Sequence, residues 1–303
     1  MNKIIVIVGP TASGKTDLSV ELANRLNSEI ISADSLQIYK EFNICTSKPS
    51  PEQMKQVNHH LIGHVSVTQE YSVFSFIKDA EKCIFEISKR NKVPIIVGGT
   101  GLYIDALTKN FQLVENKYED YTSDIKNEDL YNILLELDPI SAKYINENDF
   151  KRLRNAINFY KNNKKYIYTQ KQNPYSAEPR FEILKFGLNF KDRKKLYDRI
   201  NLRVDKMLEK GLLNEIDEVR KMNVSKTASA AIGYNDLLPY FDGYDLDDLI
   251  EKMKQKTRRY AKRQITWFKK CDITNWIFID DGYDLNDILN KIHQKSFHIQ
   301  NDN

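Results

Sequence analysis

The apolar run Ile4-Ile5-Val6-Ile7-Val8 leads directly into Gly9-Pro10-Thr11-Ala12-Ser13-Gly14-Lys15-Thr16. A strand that feeds a G-x-x-x-x-G-K-[ST] loop and then a helix can fold in few ways, because the loop must wrap an anion. Its glycines let the backbone turn so that N–H groups converge on a phosphate. Lys15 adds a point charge, and the Thr16 hydroxyl is placed to ligate Mg²⁺. The helix that follows turns its positive end toward the phosphate. A Gly-containing turn without a ligand is the alternative, but strand and helix both stand in their required places.

The phosphate's owner is a separate question. A P-loop that hydrolyses ATP usually has a second strand ending in an aspartate that helps hold Mg²⁺. The best later strand, Val93-Pro94-Ile95-Ile96-Val97, runs instead into Gly98-Gly99-Thr100-Gly101-Leu102-Tyr103, with no carboxylate at its end. The available carboxylate is Asp34, at the end of Glu29-Ile30-Ile31-Ser32-Ala33-Asp34. Ligands of open α/β sheets bind outside the carboxyl ends of the strands, so Asp34 is expected to face the P-loop across one crevice. That suits an acid acting on an acceptor better than a motor or switch ATPase. The competing use is structural: Asp34-Ser35 can cap a following helix.

Residues 1 to about 110 alternate strand and helix, which predicts an α/β fold with a doubly wound, mostly parallel sheet. Leu18, Leu22 and Leu26 give the P-loop helix a stripe toward the sheet, and Phe74, Ile77, Ile84 and Phe85 predict a second covering helix. Composition then shifts. Residues 115–138 are acidic, with a surface helix predicted from Leu130, Ile133 and Leu137, and Asp138-Pro139 begins a new unit. Residues 143–172 are basic, through Lys151, Arg152, Arg154, Lys161, Lys164, Lys165 and Lys171. The segment 112–175 is read as a helical insertion, leaving 1–111 and 176–303 as the P-loop core. Phe181 to Leu188 is the expected return strand, followed by a helix with Leu196, Ile200, Val204, Met207 and Leu208 on one face. Arg199 and Arg203 lie four apart on another face, near the sheet's ligand edge. The last twenty or so residues are polar and are expected to fray.

Lys252 to Lys270 holds nine basic residues and no acid, with Tyr260, Trp267 and Phe268 interleaved. An amphipathic helix with a basic polar face explains the pattern blandly. A polyanion partner explains it better, since cations neutralise phosphates and aromatics stack on unpaired bases. The formal net charge of +4 does not decide between them. No apolar run approaches the ~20 residues needed to span a bilayer. With a strand entered at once no signal peptide is expected, and Cys45, Cys83 and Cys271 have no paired spacing. A cytoplasmic protein with reduced thiols, without membrane contact and monomeric, is expected. His59, His60 and His64 read as packing or backbone-bonding residues rather than metal ligands.

Together these segments resemble the tRNA dimethylallyltransferases, also called tRNA isopentenyltransferases. The resemblance is carried in order by GPTASGKT (9–16), SADSLQIY (32–39), Thr46 with Lys48 and Pro49, HHLI (59–62) and GGTGLY (98–103). It continues through LDPISAKYINENDFKRLRNAI (137–157), LYDRINLRVDKMLEKGLLNEI (196–216), AAIGY (230–234) and RRYAKRQITWF (258–268). It implies transfer of a dimethylallyl group from dimethylallyl diphosphate to the exocyclic amine of the adenine just 3′ of a tRNA anticodon. The P-loop would then hold a leaving diphosphate, which removes the need for the missing aspartate. By this resemblance Gly9 to Thr16 would bind diphosphate, Thr16 with Mg²⁺, while Asp34, Thr11 and Lys15 would carry the chemistry; Arg199, from its place near the ligand edge, is expected to join the diphosphate site. Asp34, Ser35, Leu36, Gln37 and Thr100 would contact the RNA around the extruded base. Lys151, Arg152, Leu153, Arg154 and Asn155 of the insertion, and Arg258, Arg259 and Arg263 of the basic run, would grip the anticodon arm.

The chain departs from the family's pattern at several places. Cys45 stands where a glycine is usual, which demands an ordinary backbone conformation there. Gly63 stands where an acid usually follows the double histidine. Asn155 replaces an arginine, with Arg154 as the neighbour able to stand in; residues 110–127 lack the arginine common after GGTGLY, and Asn162-Asn163-Lys164-Lys165 lack a usual Thr-Gly. Three other activities remain open on the sequence: prenylation of free adenine nucleotides, a small-molecule or nucleotide kinase, and a nonenzymatic RNA-binding protein.

Overall fold

The computed structural model describes residues 2–109, 119–163, 180–271, 273 and 275–295. Two compact units are present, Met1–Thr108 with Arg180–Asn303, and Lys109–Pro179. The boundaries expected at 111/112 and 175/176, the first residues of the acidic stretch, and Lys164, Lys165 and Lys171 lie outside the described residues.

In the larger unit, β1 (Asn2–Val8) is buried on both faces from Ile4 onward, as an unbroken apolar strand must be. The P-loop leads into α1 (Lys15–Arg25), whose Leu18 and Leu22, with Leu26 just beyond, pack on one sheet face. Next come β2 (Ile30–Ser32), α2 (Pro51–Gln56), β3 (His59–His60), α3 (Val73–Ser88), β4 (Ile95–Gly98) and α4 (Gly101–Thr108). The covering helix α3 buries Phe76, Ala80, Ile84 and Ile87. Its core face is rotated from the predicted one. Phe85 is 54% exposed and carries Lys89 Nζ 4.4 Å over its ring; one residue past the buried Ile84, it falls about 100° round the helix from that stripe.

The smaller unit contains α5 (Leu130–Leu137), α6 (Pro139–Ala142) and α7 (Phe150–Asn163). Leu130, Leu134, Ala142, Leu153, Ala156 and Ile157 form its core. Asp138 starts α6 by accepting the Ser141 N–H at 2.9 Å.

The chain returns through β5 (Phe181–Asn189), α8 (Arg193–Glu209), α9 (Leu212–Arg220), α10 (Tyr234–Leu237), α11 (Leu246–Phe268), β6 (Asn275–Phe278) and α12 (Leu285–Gln294). The stretch expected to fray thus contains a helix. Asp284 caps α12 by accepting the Asn286 N–H at 2.8 Å, and Ile288 and Ile292, four apart, join the core formed by Leu184, Phe186 and Leu188. Residues 296–303 lie outside the described residues. No helix among the described residues is long and apolar enough to cross a membrane.

The six strands are parallel in the order β3-β2-β4-β1-β5-β6. Central β1 runs in register with β5 from Asn2↔Phe181 to Val8↔Gly187. The carboxyl ends of β1, β2 and β4 therefore lie side by side. They carry the P-loop, Asp34 and the Gly98-Gly99-Thr100 turn to one edge. β2 and β4 approach unusually closely there: the Ala33 N–H donates to Val97 O at 2.7 Å, and a Cβ on Gly98 would stand 2.1 Å from Ala33 O. Gly98→Ala is expected to cost roughly 1–3 kcal/mol or more by overpacking. Urea unfolding of the two proteins measures it, and an unchanged midpoint would show that the β2 end can yield.

Candidate active site

The P-loop adopts a constrained geometry. Ala12 has a left-handed φ of 63°, which costs an L residue about 1–2 kcal/mol. Arg199 of α8 holds that conformation by donating its Nε to Ala12 O at 3.0 Å. Ser13 is 1% exposed, and among the described residues its Oγ has no hydrogen-bond partner. Leaving a buried hydroxyl unpaired costs about 1–3 kcal/mol, which a phosphate oxygen in the loop would relieve. Lys15 bends back to donate to Gly9 O at 3.0 Å and Pro10 O at 2.8 Å. The residues present fit an anion.

A cavity of about 410 Å³ opens beside the loop. Thr11 to Thr16 form one wall and Asp34, Leu36, Gln37 and Thr46 another, with Arg199 and Arg203 of α8 and Tyr260 and Gln264 of α11 completing it. Burial first, and then the neighbouring Arg203 charge, push the Lys15 pKa down to about 7, against the pull of Asp34. Burial likewise lowers Arg203, again opposed by Asp34. The Tyr260 phenol is raised, by burial first and by Asp34 second. Asp34 is thus close enough to act on all three.

One oxygen of Asp34 is committed to the backbone. Its Oδ1 accepts the N–H of Leu36 at 3.0 Å and of Gln37 at 3.4 Å, closing a turn rather than capping a helix. Among the described residues Oδ2 accepts no hydrogen bond. Ser35 is tied across to β4's turn, its N–H donating to Thr100 Oγ1 at 3.1 Å. The Gln37 amide accepts from Ser32 Oγ at 3.2 Å and donates to Thr46 O and Ser47 O at 3.4 and 3.3 Å, joining two loops of the wall.

Two departures from the family pattern lie at this wall: Cys45 lines the cavity, and the Gly63 N–H donates to Gln37 O at 2.9 Å. Cys45 has an ordinary backbone, and the left-handed residue is Ser47, with φ 46°. Glu215 of α9 gathers the N–H groups of Asn43, Ile44 and Cys45 at 2.7–2.8 Å. The Cys45 thiol donates to Ile232 O at 3.2 Å, and burial raises its pKa. Gly63 takes φ 59°, and a Cβ there would meet Lys48 Nζ at 3.2 Å. Lys48 turns instead to Lys40 O and Asn43 Oδ1, both at 3.0 Å.

The residues expected to meet RNA divide into different environments. In the smaller unit Lys151, Arg152 and Asn155 are exposed, while Leu153 is fully buried in the core. Arg154, the neighbour of Asn155, is engaged within its own unit. Its guanidinium donates to Thr122 O, to Ile125 O at 2.7 Å and to Asn127 Oδ1 at 3.0 Å, fixing the loop before α5. On α11, Arg259 and Arg263 are exposed, whereas Arg258 donates to Asn201 Oδ1 at 2.6 Å. Other elements supply the acids that this run lacks: Lys254 meets Asp205 at 2.8 Å and Lys256 pairs with Asp236.

No group of three His, Cys, Asp or Glu among the described residues could hold a metal ion. His60 Nε2 lies 2.8 Å from Glu29 Oε2, and His59 Nδ1 lies 2.8 Å from Val57 O. Thr16 lines the cavity at the start of α1. A hydroxyl beside a phosphate site fits Mg²⁺, a hard cation that keeps several waters and takes oxygens from substrate phosphates. Sequence reasoning did not single out Gln264. Its signal was a lone amide on the stripe Leu249, Met253, Thr257, Ala261, Gln264, Phe268 that α11 buries. Arg203 was visible only as half of a pair with Arg199.

The arrangement defines a P-loop α/β enzyme in which the loop and the Asp34 carboxylate line one cavity. The IPP transferase family model matches residues 37–271. A tRNA dimethylallyltransferase of Acetivibrio thermocellus is 44% identical over 288 residues, 91% of this chain and 92% of that protein. The solved tRNA delta(2)-isopentenylpyrophosphate transferase of Staphylococcus epidermidis is 38% identical, with a TM-score of 0.71 over 98% of this chain and 99% of its own. A eukaryotic dimethylallyltransferase, solved acting on tRNA, is 30% identical, with a TM-score of 0.82 over 100% of this chain and 79% of its own. The chain belongs to the IPP transferase family.

Lys15 is expected to make anion binding at the loop pH-dependent. An arriving anion favours its charged form, so binding above pH 7 takes up a proton, and affinity falls as pH rises past about 7. The fall approaches tenfold per pH unit, about 1.4 kcal/mol. Titration calorimetry with inorganic pyrophosphate at pH 8, in buffers of different ionisation enthalpy, reads the proton uptake. The native protein should exceed Lys15→Met by up to about one proton per site. Equal uptake would mean that Lys15 stays charged in the empty site.

Proposed function

We propose that the chain transfers a dimethylallyl group from dimethylallyl diphosphate to N6 of the adenine 3′ of the anticodon in tRNA, releasing diphosphate. The observation that carries this reading is one cavity shared by the P-loop and Asp34, with no carboxylate at the end of β4. A kinase would need its loop for a nucleotide that is broken down. Here the loop suits a diphosphate that leaves, and the carboxylate suits the amine that attacks. The exposed cations of α11 support a polyanionic acceptor over a free nucleotide.

The C–O bond to diphosphate breaks as the N6–C bond forms. Lys15 and the loop N–H groups stabilise charge building on the departing oxygens, and Arg199 and Arg203 add to the field. The Ser13 hydroxyl gains a partner in the bound phosphate. Thr16 would hold Mg²⁺, whose charge offsets that of the diphosphate when bound. The adenine amine is a poor nucleophile because its lone pair is delocalised into the ring. Its proton becomes acidic as the bond forms. Asp34, held through Oδ1, presents Oδ2 to orient the amine and take that proton. Thr11 lines the cavity from within the loop and would bond a phosphate oxygen. Reaching the base requires unstacking it from the anticodon loop, at a cost of a few kcal/mol.

Incubation with Mg²⁺, dimethylallyl diphosphate and unmodified tRNA, with AMP and ATP in parallel, tests the reading by mass spectrometry of digested nucleosides. Addition to adenosine in tRNA alone is expected. Addition to a free nucleotide would reassign the acceptor. Asp34→Asn should lower turnover by about 10²–10⁴-fold while tRNA affinity stays within a few fold. Equal losses in both quantities would contradict proton transfer by Asp34.

A further inference from the structure

Gln264 is nearly inaccessible, at 6% exposure, yet it lies on the same helix as the exposed cations Arg259 and Arg263. Both ends of its amide are used. Oε1 accepts the Thr11 N–H of the P-loop at 2.8 Å, and Nε2 donates to Gly99 O, after β4, at 2.9 Å. The fit leaves no spare room, since a Cβ on Gly99 would stand 2.3 Å from Nε2. Three residues further along α11, Trp267 keys onto the same turn. Its ring would lie 2.4 Å from a Cβ on Gly101, and its Nε1 donates to Asp105 Oδ2 at 3.0 Å. Between these glycines, Thr100 bonds Ser35, the neighbour of Asp34.

α11 is therefore bonded to the donor loop directly through Thr11 and linked to the acceptor carboxylate through Gly99, Thr100 and Ser35. Any force that fixes α11 also fixes Thr11. We propose that Gln264 is a positioning residue that couples RNA binding on the outer face of α11 to diphosphate binding in the P-loop. The proposal rests on the reading of this chain as a tRNA-modifying enzyme. Its physical basis is that an amide can pair with a backbone donor and a backbone acceptor at once. A carboxylate at 264 keeps the first bond and sets an anionic oxygen against the Gly99 carbonyl. A thioether of similar size leaves both backbone groups unpaired.

Coupling of this kind is reciprocal and separable from folding. The full chain with Mg²⁺ is titrated with inorganic pyrophosphate, alone and saturated with an unmodified anticodon stem-loop RNA. In the native protein the RNA should tighten pyrophosphate binding about tenfold, and pyrophosphate should tighten RNA binding by the same factor. In Gln264→Glu and in Gln264→Met both factors should fall below about twofold, while Arg259→Ala weakens the RNA yet keeps the factor at saturation. Variants that melt earlier but keep the native factor would overturn the proposal and leave Gln264 a packing residue. A native protein that binds both ligands without mutual effect would overturn it as well. Failure of the native protein to bind the stem-loop at all would overturn the tRNA reading together with it.

Discussion

The site depends on a concentration of positive charge that the protein alone does not neutralise. Lys15 and Arg203 share a cavity with Arg199, and burial plus mutual repulsion bring the Lys15 pKa down to about 7. Asp34 offsets only part of this. The loop adds convergent N–H groups, the start of α1 and the unpaired Ser13 hydroxyl, all of which favour an anion. The strain at Ala12 persists because Arg199 holds its carbonyl, so a cation of the site also maintains the shape of the loop.

The parallel sheet makes that concentration possible at a defined place. β1 stands between β4 and β5, and the ends of β1, β4 and β2 succeed one another along one edge. The P-loop, the Gly98-Gly99-Thr100 turn and Asp34 are therefore neighbours although they are far apart in sequence. Close approach at Gly98 brings β2's end against β4's. Gln37 and Glu215 then hold the loops that follow Asp34, each by collecting backbone groups that would otherwise need water. Cys45 fits within this frame because its backbone is not in the left-handed region that would demand the family's glycine.

The basic surfaces illustrate why charge counts along a chain mislead. In the acid-free run from Lys252 to Lys270, Lys254 and Lys256 are paired with Asp205 and Asp236 from other elements, while most of the run is exposed. Arg154 is spent on three oxygens of its own unit. Arg259 and Arg263 remain exposed. How each cation is placed therefore depends on what packs beside it, not on the count along the chain.

Periodicity and motif chemistry made much of this legible in advance. The octapeptide after an apolar strand defined the anion loop, because glycines, lysine and threonine at that spacing serve one purpose. Alternating strands and helices defined the parallel sheet, and the rule for strand ends placed Asp34 beside the loop. Local pattern failed where a long-range partner decides the outcome. Phe85 points outward because the core contacts Phe76, Ala80, Ile84 and Ile87 instead, and the polar C-terminal stretch holds a helix because Ile288 and Ile292 find the sheet's second face. Gln264 resembled any amide on a helix until the fold set it between Thr11 and Gly99, residues 253 and 165 positions away. The sequence by itself determined which groups could bind an anion and take a proton, since that is a property of residue type and local spacing. Which cations stay free, and which buried amide joins the two loops, only the tertiary structure decided, because both depend on contacts between distant parts of the chain.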